Sequence, residues 1–246
     1  MPLSAKRVLR TFKYAMYFDG VDDYVQVPYI SVFNQQAFTV MGWISQLNVR
    51  YDNILFATCD LADTDRCLLL LIRIGYPFLA FFRDDLYGRK YLGTNIFYHL
   101  TFIWEGPATK LQKIYVDAVL DSSRVSSGLL TVTSGSASGN GGWVGRYGRY
   151  YHCGFISQVL IYTRALSDSE IQWNYQYPDK PVRDGLVLWL QAHPDYIKDI
   201  DNDGILEWID LSGYNNHGKI YGAQLVQLIK TPSRVLKPVR ILKPRR

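Results

Sequence analysis

Residues 17–27 and 38–44 alternate apolar side chains with polar or small ones at a period of two. Successive side chains of a strand point to opposite faces, so this period selects half-buried β-strands; a helix would repeat its apolar positions every three to four residues. Asp19-Gly20 and Asp22-Asp23 supply turn chemistry within the first stretch. A β-sheet scaffold is the first requirement on any fold for this chain.

The following segments extend that reading. Residues 53–58, 66–74 and 77–83 are rich in β-formers and separated by Asp, Asn, Gly and Pro, and their continuous apolar runs predict strands covered on both faces. Residues 98–105 and 110–119 predict a hairpin across Gly106-Pro107. Residues 122–142, dominated by Ser, Gly and Thr, predict a loop interrupted by one short strand at 129–133. Ser167-Asp-Ser-Glu170 is a capping box and predicts one short helix that ends before Pro178.

At 246 residues and 48% apolar content the chain can bury a substantial core. No apolar run approaches the roughly 18 residues of a membrane helix, and residues 1–13 lack the apolar stretch of a secretory signal. The net charge of +5 is unevenly spread: residues 14–229 hold 16 basic against 22 acidic side chains, and the excess sits in two basic ends. A pI near 9.0 is therefore no evidence for a nucleic-acid groove on the body, and the basic tail would give only non-specific, salt-sensitive contact. Of three cysteines, Cys59 and Cys67 could close a short hairpin in an oxidising compartment or remain two small strand residues near a turn.

The motifs resemble laminin G-like domains of the concanavalin A-like superfamily. The Phe-Asp-Gly-x-Asp-Asp-Tyr-Val strand begins at Phe18, the Phe-Thr-x-x-x-Trp strand at Phe38, the Tyr-Val-Asp strand at Tyr115, and the closing strand with its short helix covers residues 155–171. The resemblance implies an all-β, concanavalin A-like jelly-roll sandwich of two antiparallel sheets with one short helix. Two segments resemble parts that normally precede the Phe-Asp-Gly strand, yet here come last: 185–190, and 208–223 with its Asp-Leu-Ser-Gly-Tyr-Asn-Asn-His-Gly run. About 40 residues cannot easily bury a separate β core. The expected organisation is therefore a basic arm at 1–13 and a sandwich at 14–226, made of a main body at 14–176, a linker at 177–184 and late strands at 185–226. Those late strands complete this sandwich or a neighbour's. A basic arm at 227–246 follows, whose two Arg-[Val/Ile]-Leu-Lys-Pro copies predict an extended chain discouraged from edge pairing by lysine and proline.

Three kinds of site can be sought. Asp199, Asp201, Asp203, the Ile205 carbonyl and Asp210 follow the order of oxygens in an EF-hand-type loop, with Gly204 at the sixth position, and predict calcium; a plain acidic turn is the alternative. The calcium site common in laminin G-like domains finds Asp19, Asp22 and Asp23 here but has Ser157 and Gln158 in place of its acidic pair, so it carries over only in part. Catalysis has little to work with: the superfamily's glucanases use a Glu-x-Asp-x-Glu strand, because retaining hydrolysis needs two carboxyls about 5 Å apart. This chain has three glutamates, 105, 170 and 207, none in that pattern. His99 occupies the family's strand histidine position, and a hydrogen-bonded structural role is expected over a catalytic one.

What remains is binding. Aromatic faces hold sugar C–H surfaces while carboxylates, amides and arginines fix hydroxyls, and two loops offer such residues: Tyr87 and Tyr91, then Arg146, Tyr147, Arg149, Tyr150 and Tyr151. The expected protein is a non-enzymatic carbohydrate- or surface-binding module, calcium-stabilised, with a glycan or cell-surface ligand. The alternative is a structural subunit of an extracellular assembly or virion that exchanges a strand or tail, forming a homo-oligomer through its C-terminal segment. Both readings place it outside the cell or on a virion surface.

Overall fold

The computed structural model describes residues 12–49, 52–59, 63–82, 84–132 and 142–228, and the backbone of 238–241. Along the chain run β1 (Tyr14–Asp19), β2 (Tyr24–Val27), β3 (Phe38–Gln46), β4 (Asn53–Ala57), β5 (Leu69–Arg73), β6 (Tyr76–Ala80) and β7 (Leu86–Tyr87). Then come β8 (Tyr98–Trp104), β9 (Leu111–Val116), β10 (Val119–Val125), β11 (Gly142–Val144), β12 (Arg146–Tyr147), β13 (Tyr150–Tyr151) and β14 (Cys153–Tyr162). Helix α1 (Asp168–Gln176) precedes β15 (Leu186–Gln191), β16 (Ile197–Lys198), β17 (Glu207–Trp208), β18 (Gly218–Tyr221), β19 (Gln224–Leu228) and β20 (Pro238–Ile241). Ser167 caps α1 through the reciprocal bonds that its sequence predicts, accepting from Glu170 N while Glu170 accepts from Ser167 N.

Two antiparallel sheets result. The first runs β10-β9-β8-β3-β14-β1-β19-β20 and the second β16-β17-β18-β2-β11-β4-β5-β6-β7. This is a concanavalin A-like jelly-roll sandwich. Its shared core takes Met16 and Phe18 from β1, Val25 and Val27 from β2, Phe38, Val40 and Ile44 from β3, and their counterparts across the sandwich.

The late strands join both sheets within the same chain. β14 is long enough to offer one edge to two partners, pairing β1 at Met16↔Ile156 to Asp19↔Cys153 and β15 at Gln158↔Gln191 to Tyr162↔Leu186. β18 pairs β2 at Lys219↔Gln26, and β19 pairs β1 at Met16↔Leu225. Trp208 is buried in the shared core, while Trp189 packs with Met41, Ile103 and Leu160 on the first sheet's other face. Gly42 permits the close approach of β3 and β14, since a Cβ there would lie 2.7 Å from the Gln158 carbonyl oxygen.

Several expectations need correction. β3 is buried on both faces because α1 lays Ile171 and Tyr175 over its outward residues Met41 and Trp43. Residues 129–132 form no strand and contribute only the bridge Asn34↔Thr131. The backbone of β20 pairs with β19, so lysine and proline do not keep this part of the tail from a sheet edge; Pro238 is its first residue, where a missing N–H costs no ladder bond. Residues 12, 13, 227 and 228 of the expected arms belong to the sandwich, since Phe12 and Leu228 are buried together and Leu228 N donates to the Lys13 carbonyl; residues 1–11, 229–237 and 242–246 lie outside the described residues. Cys59 and Cys67 are joined by a disulfide across the β4–β5 connection, with Cα atoms 5.3 Å apart.

His99 is not the hydrogen-bonded histidine expected. Its ring lies 5.2 Å from Trp43 and 5.6 Å from Tyr175, with no hydrogen-bond partner at either nitrogen among the described residues. Burial pushes its pKa down to about 3 and does the same to His152. Both rings stay neutral in the fold, whereas the unfolded chain protonates them below about pH 6.5. Their stabilising contribution is therefore complete above that pH and is lost as pH falls towards 3, about 2 kcal/mol for each ring by pH 5. Asp23, pushed up to about 6 chiefly by burial, runs the other way and returns about 1 kcal/mol over the same interval. Urea unfolding is expected to show a lower midpoint at pH 5 than at pH 7, and His99→Phe to remove about half of the histidine contribution; an unchanged pH dependence in that variant contradicts the assignment.

Candidate functional site

The outward face of the second sheet collects most of the residues singled out for binding. Cross-strand pairing places Arg73 opposite Tyr76, and aligns Leu71, Phe78 and Tyr87 on the same face. The Arg73 guanidinium lies 4.2 Å from the Phe78 ring centroid and is gripped by Asp52, with Nε donating to Oδ1 at 2.9 Å and Nη2 to Oδ2 at 2.7 Å. A bidentate pair of this kind fixes a planar cation in one orientation. The Asp52 bond, opposed by partial burial, raises the Arg73 pKa further above its already high value.

Around this cation stand three exposed tyrosines. Tyr87 is 54% exposed and rests on Phe78 at 4.3 Å, while Tyr76 and Tyr91 meet edge to face at 5.5 Å. Tyr91 packs over Gly75, whose φ of +83° and lack of a Cβ both suit that turn. The segment leading to Tyr91 is anchored by Asp121, which accepts from Arg89 N and Lys90 N, and by the Lys90–Asp117 ion pair.

The β12–β13 hairpin stands on the same face and covers Ile54, Ala57, Leu69 and Leu71 of β4 and β5. Tyr147 belongs to that apolar cluster, packed 6.0 Å from Phe82 with Tyr150 parallel to it at 6.1 Å. The structure thus assigns Tyr147 to support, because its ring is nearly buried; Tyr150 and Arg149 are the exposed residues of the hairpin. Arg146 lies against Tyr24 at 5.0 Å and Trp143 at 5.2 Å, and its Nε donates to the Gly148 carbonyl; Tyr151 pairs with it across the hairpin. The two loops therefore share one sheet face. Tyr221 stacks on Tyr24 at 4.7 Å from the neighbouring strand. Arg73, Tyr76, Tyr24 and Tyr221 were not among the sequence candidates because cross-strand register brings them there, nor was Asp52, which reaches the face through Arg73.

The predicted metal loop is drawn together in part. Asp199 accepts from Gly204 N, Asp201 from Asp203 N and Asp203 from Ile205 N, so the loop wraps in the expected sense. Carboxylate oxygens of Asp199, Asp201 and Glu207 lie within 4.8 Å of one another. Lys219 reaches Asp201 at 3.0 Å and also bonds Asp203, and this ammonium holds the Asp203 pKa down. Asp210 does not serve this loop. Its buried oxygens accept from Trp189 N, Ser212 N, Ser212 Oγ and Asn216 N, tying β15 to the 211–217 turn, while Glu207 stands beside Asp199 and Asp201. Asp19, Asp22 and Asp23 form a second acidic group, with Asp23 Oδ2 accepting from Asp19 N. Ser157 and Gln158 are buried in β14, and Gln158 donates to the Pro178 carbonyl.

A family model described as the Concanavalin A-like lectin/glucanases superfamily matches residues 19–172. Among solved structures, a protein from Bacteroides ovatus ATCC 8483 described as a candidate carbohydrate-binding protein superposes with a TM-score of 0.69 at 18% identity, over 88% of this chain and 60% of that one. The CBM40 of Ruminococcus gnavus IT-sialidase, bound to α2,3 sialyllactose, gives 0.47 at 13% identity over 63% of this chain and 95% of its own. Domains LG4-5 of the mouse laminin α1 chain give 0.49 at 9% identity, over 64% and 44%. At such identities the likeness is one of fold, and this chain spans about 60% of the length of the Bacteroides protein. No curated protein matches the sequence.

Asp201 and Asp210 should behave differently on substitution. Asp210→Ala strands buried backbone donors of β15 and the following turn and is expected to cost about 2–4 kcal/mol in chemical denaturation. Asp201→Asn, on the exposed loop, is expected to leave the midpoint unchanged; equal losses would contradict the separate roles.

Proposed function

Since this chain belongs to the concanavalin A-like lectin/glucanase superfamily, we propose that it is a non-catalytic carbohydrate-binding module whose ligand lies on the outward face of the second sheet. The observation that carries this reading is the Arg73–Asp52 pair set beside exposed Tyr76 and Tyr87. A cation fixed in one orientation can meet ring or hydroxyl oxygens, while neighbouring aromatic rings take the sugar's C–H surface, so the direction and the apolar part of recognition come from different residues. Tyr91, Arg149 and Tyr150 flank the same face and would extend the contact along an oligosaccharide. A disulfide at Cys59 and Cys67 suits an oxidising setting, where glycans are displayed.

The disposition of the glutamates supports a binding role over hydrolysis. Glu170 is engaged by Ser167 and Arg164, Glu105 by Lys113, and Glu207 accepts from Ile200 N. Calcium in the 199–207 loop belongs to the same proposal. Two oxygens on one calcium ion lie within about 5 Å of each other, a spacing that the Asp199, Asp201 and Glu207 carboxylates meet. The Lys219 ammonium occupies part of that acidic set, so an ion would compete with it.

On a glycan array, Tyr87→Ala and Arg73→Ala are expected to weaken the strongest hits about tenfold or more while the protein stays folded. An array without hits, with and without calcium, sinks the reading. In calorimetric titration Lys219→Ala is expected to bind calcium more tightly than the parent, and no uptake by either protein removes calcium from the proposal.

A further inference from the structure

Helix α1 lies on the opposite side of the sandwich from the sheet face described above. Its buried residues Ile171 and Tyr175 pack on Met41, Ile103 and Trp43, which point away from the shared core. Trp173 and Tyr177, however, face solvent.

Trp173 is 46% and Tyr177 44% exposed, with ring centroids 4.5 Å apart. Trp173 is the only exposed one of the six tryptophans: residues 43, 104, 143, 189 and 208 are all buried. Leaving nearly half of an indole residue in water forgoes a large burial free energy. Nor is the ring loose. Nε1 donates to the Lys180 carbonyl at 2.8 Å, and that turn is closed by Lys180 N donating to the Tyr177 carbonyl. The polar edge of the indole is thus satisfied within the chain, and what remains for solvent is oriented π-surface. Gln176, Asp179 and Lys180, close to the pair in the chain, are exposed and carry an amide, a carboxylate and an ammonium.

We propose that Trp173 and Tyr177 form a second saccharide contact, taking a β-linked pyranoside that presents an unbroken face of axial C–H groups. Size decides the class of occupant. A little under half of each residue is open, roughly 200 Å² in all, which is the footprint of a small ligand. One or two sugar rings fit that footprint, and the three polar residues nearby in the chain offer partners to hydroxyls. The contact is independent of the second-sheet face, so a module with both could bridge two chains or two branches of one glycan.

As the one exposed indole, Trp173 supplies its own reporter. Titration with cellotetraose and with β1,4-galactotetraose, excited at the red edge, is expected to give a saturable blue shift and reduced acrylamide quenching with at least one of the two. Trp173→Ala should abolish the shift, Tyr177→Ala should weaken binding about tenfold, and Trp173→Phe should retain part of it as measured by calorimetry. Arg73→Ala and Tyr87→Ala should leave the shift intact, which separates this contact from the one on the second sheet. No saturable change at 20 mM of either sugar overturns the proposal, as does a blue shift produced by phosphatidylcholine vesicles and by neither sugar. Far-UV circular dichroism on each variant establishes that the fold is retained.

Discussion

The ten-residue strand β14 is the constraint from which the rest follows. One edge is taken by β3 along nearly its whole length, and the other is divided between β1 and β15. With the strand paired on both edges and buried on both faces, neither the early nor the late part of the chain can be removed without exposing backbone hydrogen-bonding groups of the central ladder. The late segment then crosses to the second sheet, where β18 lies beside β2. It returns to the first, where β19 lies beside β1, and so is held at three separate places. Asp210 reinforces the first of these by bonding Trp189 N from the following turn.

Covering both outer faces in the middle of the molecule has an electrostatic consequence. The first sheet's outer face is roofed by α1 and the second's by the β12–β13 hairpin, which leaves polar groups such as His99 with no water to turn to. A ring in that position stays neutral and couples the fold to acidity. Several charges nearer the surface are instead paired, as in Arg73–Asp52, Arg164–Glu170 and Lys219 with Asp201 and Asp203. Those at exposed loops add little to stability, and their value is positional. Arg73 is the clearest case, because its partner orients it across an aromatic ring at the edge of an open face.

The strands and the capped helix were legible in residue order, since each rests on local information, while the sandwich class came from the resemblance of those motifs to a known family. Period-two alternation marks β1 and β3, and the capping box marks the start of α1. The acidic loop was legible as far as its local turns, Asp199 to Gly204 and Asp203 to Ile205. It failed at Asp210, because spacing along a calcium-loop template cannot reveal that a carboxylate seven residues beyond Asp203 is claimed by backbone donors of a neighbouring strand. The aromatic loops were legible as composition, yet the burial of Tyr147 and the exposure of Tyr76 were not, because both depend on which strand lies next door.

By itself the sequence determined what each segment could be: strand, turn, helix start or acidic loop. Those choices are made by contacts among residues a few positions apart. Only the tertiary structure decided that the late strands pair within their own chain, that Arg73 meets Tyr76 and Tyr87 on one face, and that a single tryptophan is left facing water. Register across a sheet is set by core packing and by turns far apart in the chain, so the neighbours of a side chain there are properties of the assembled sandwich.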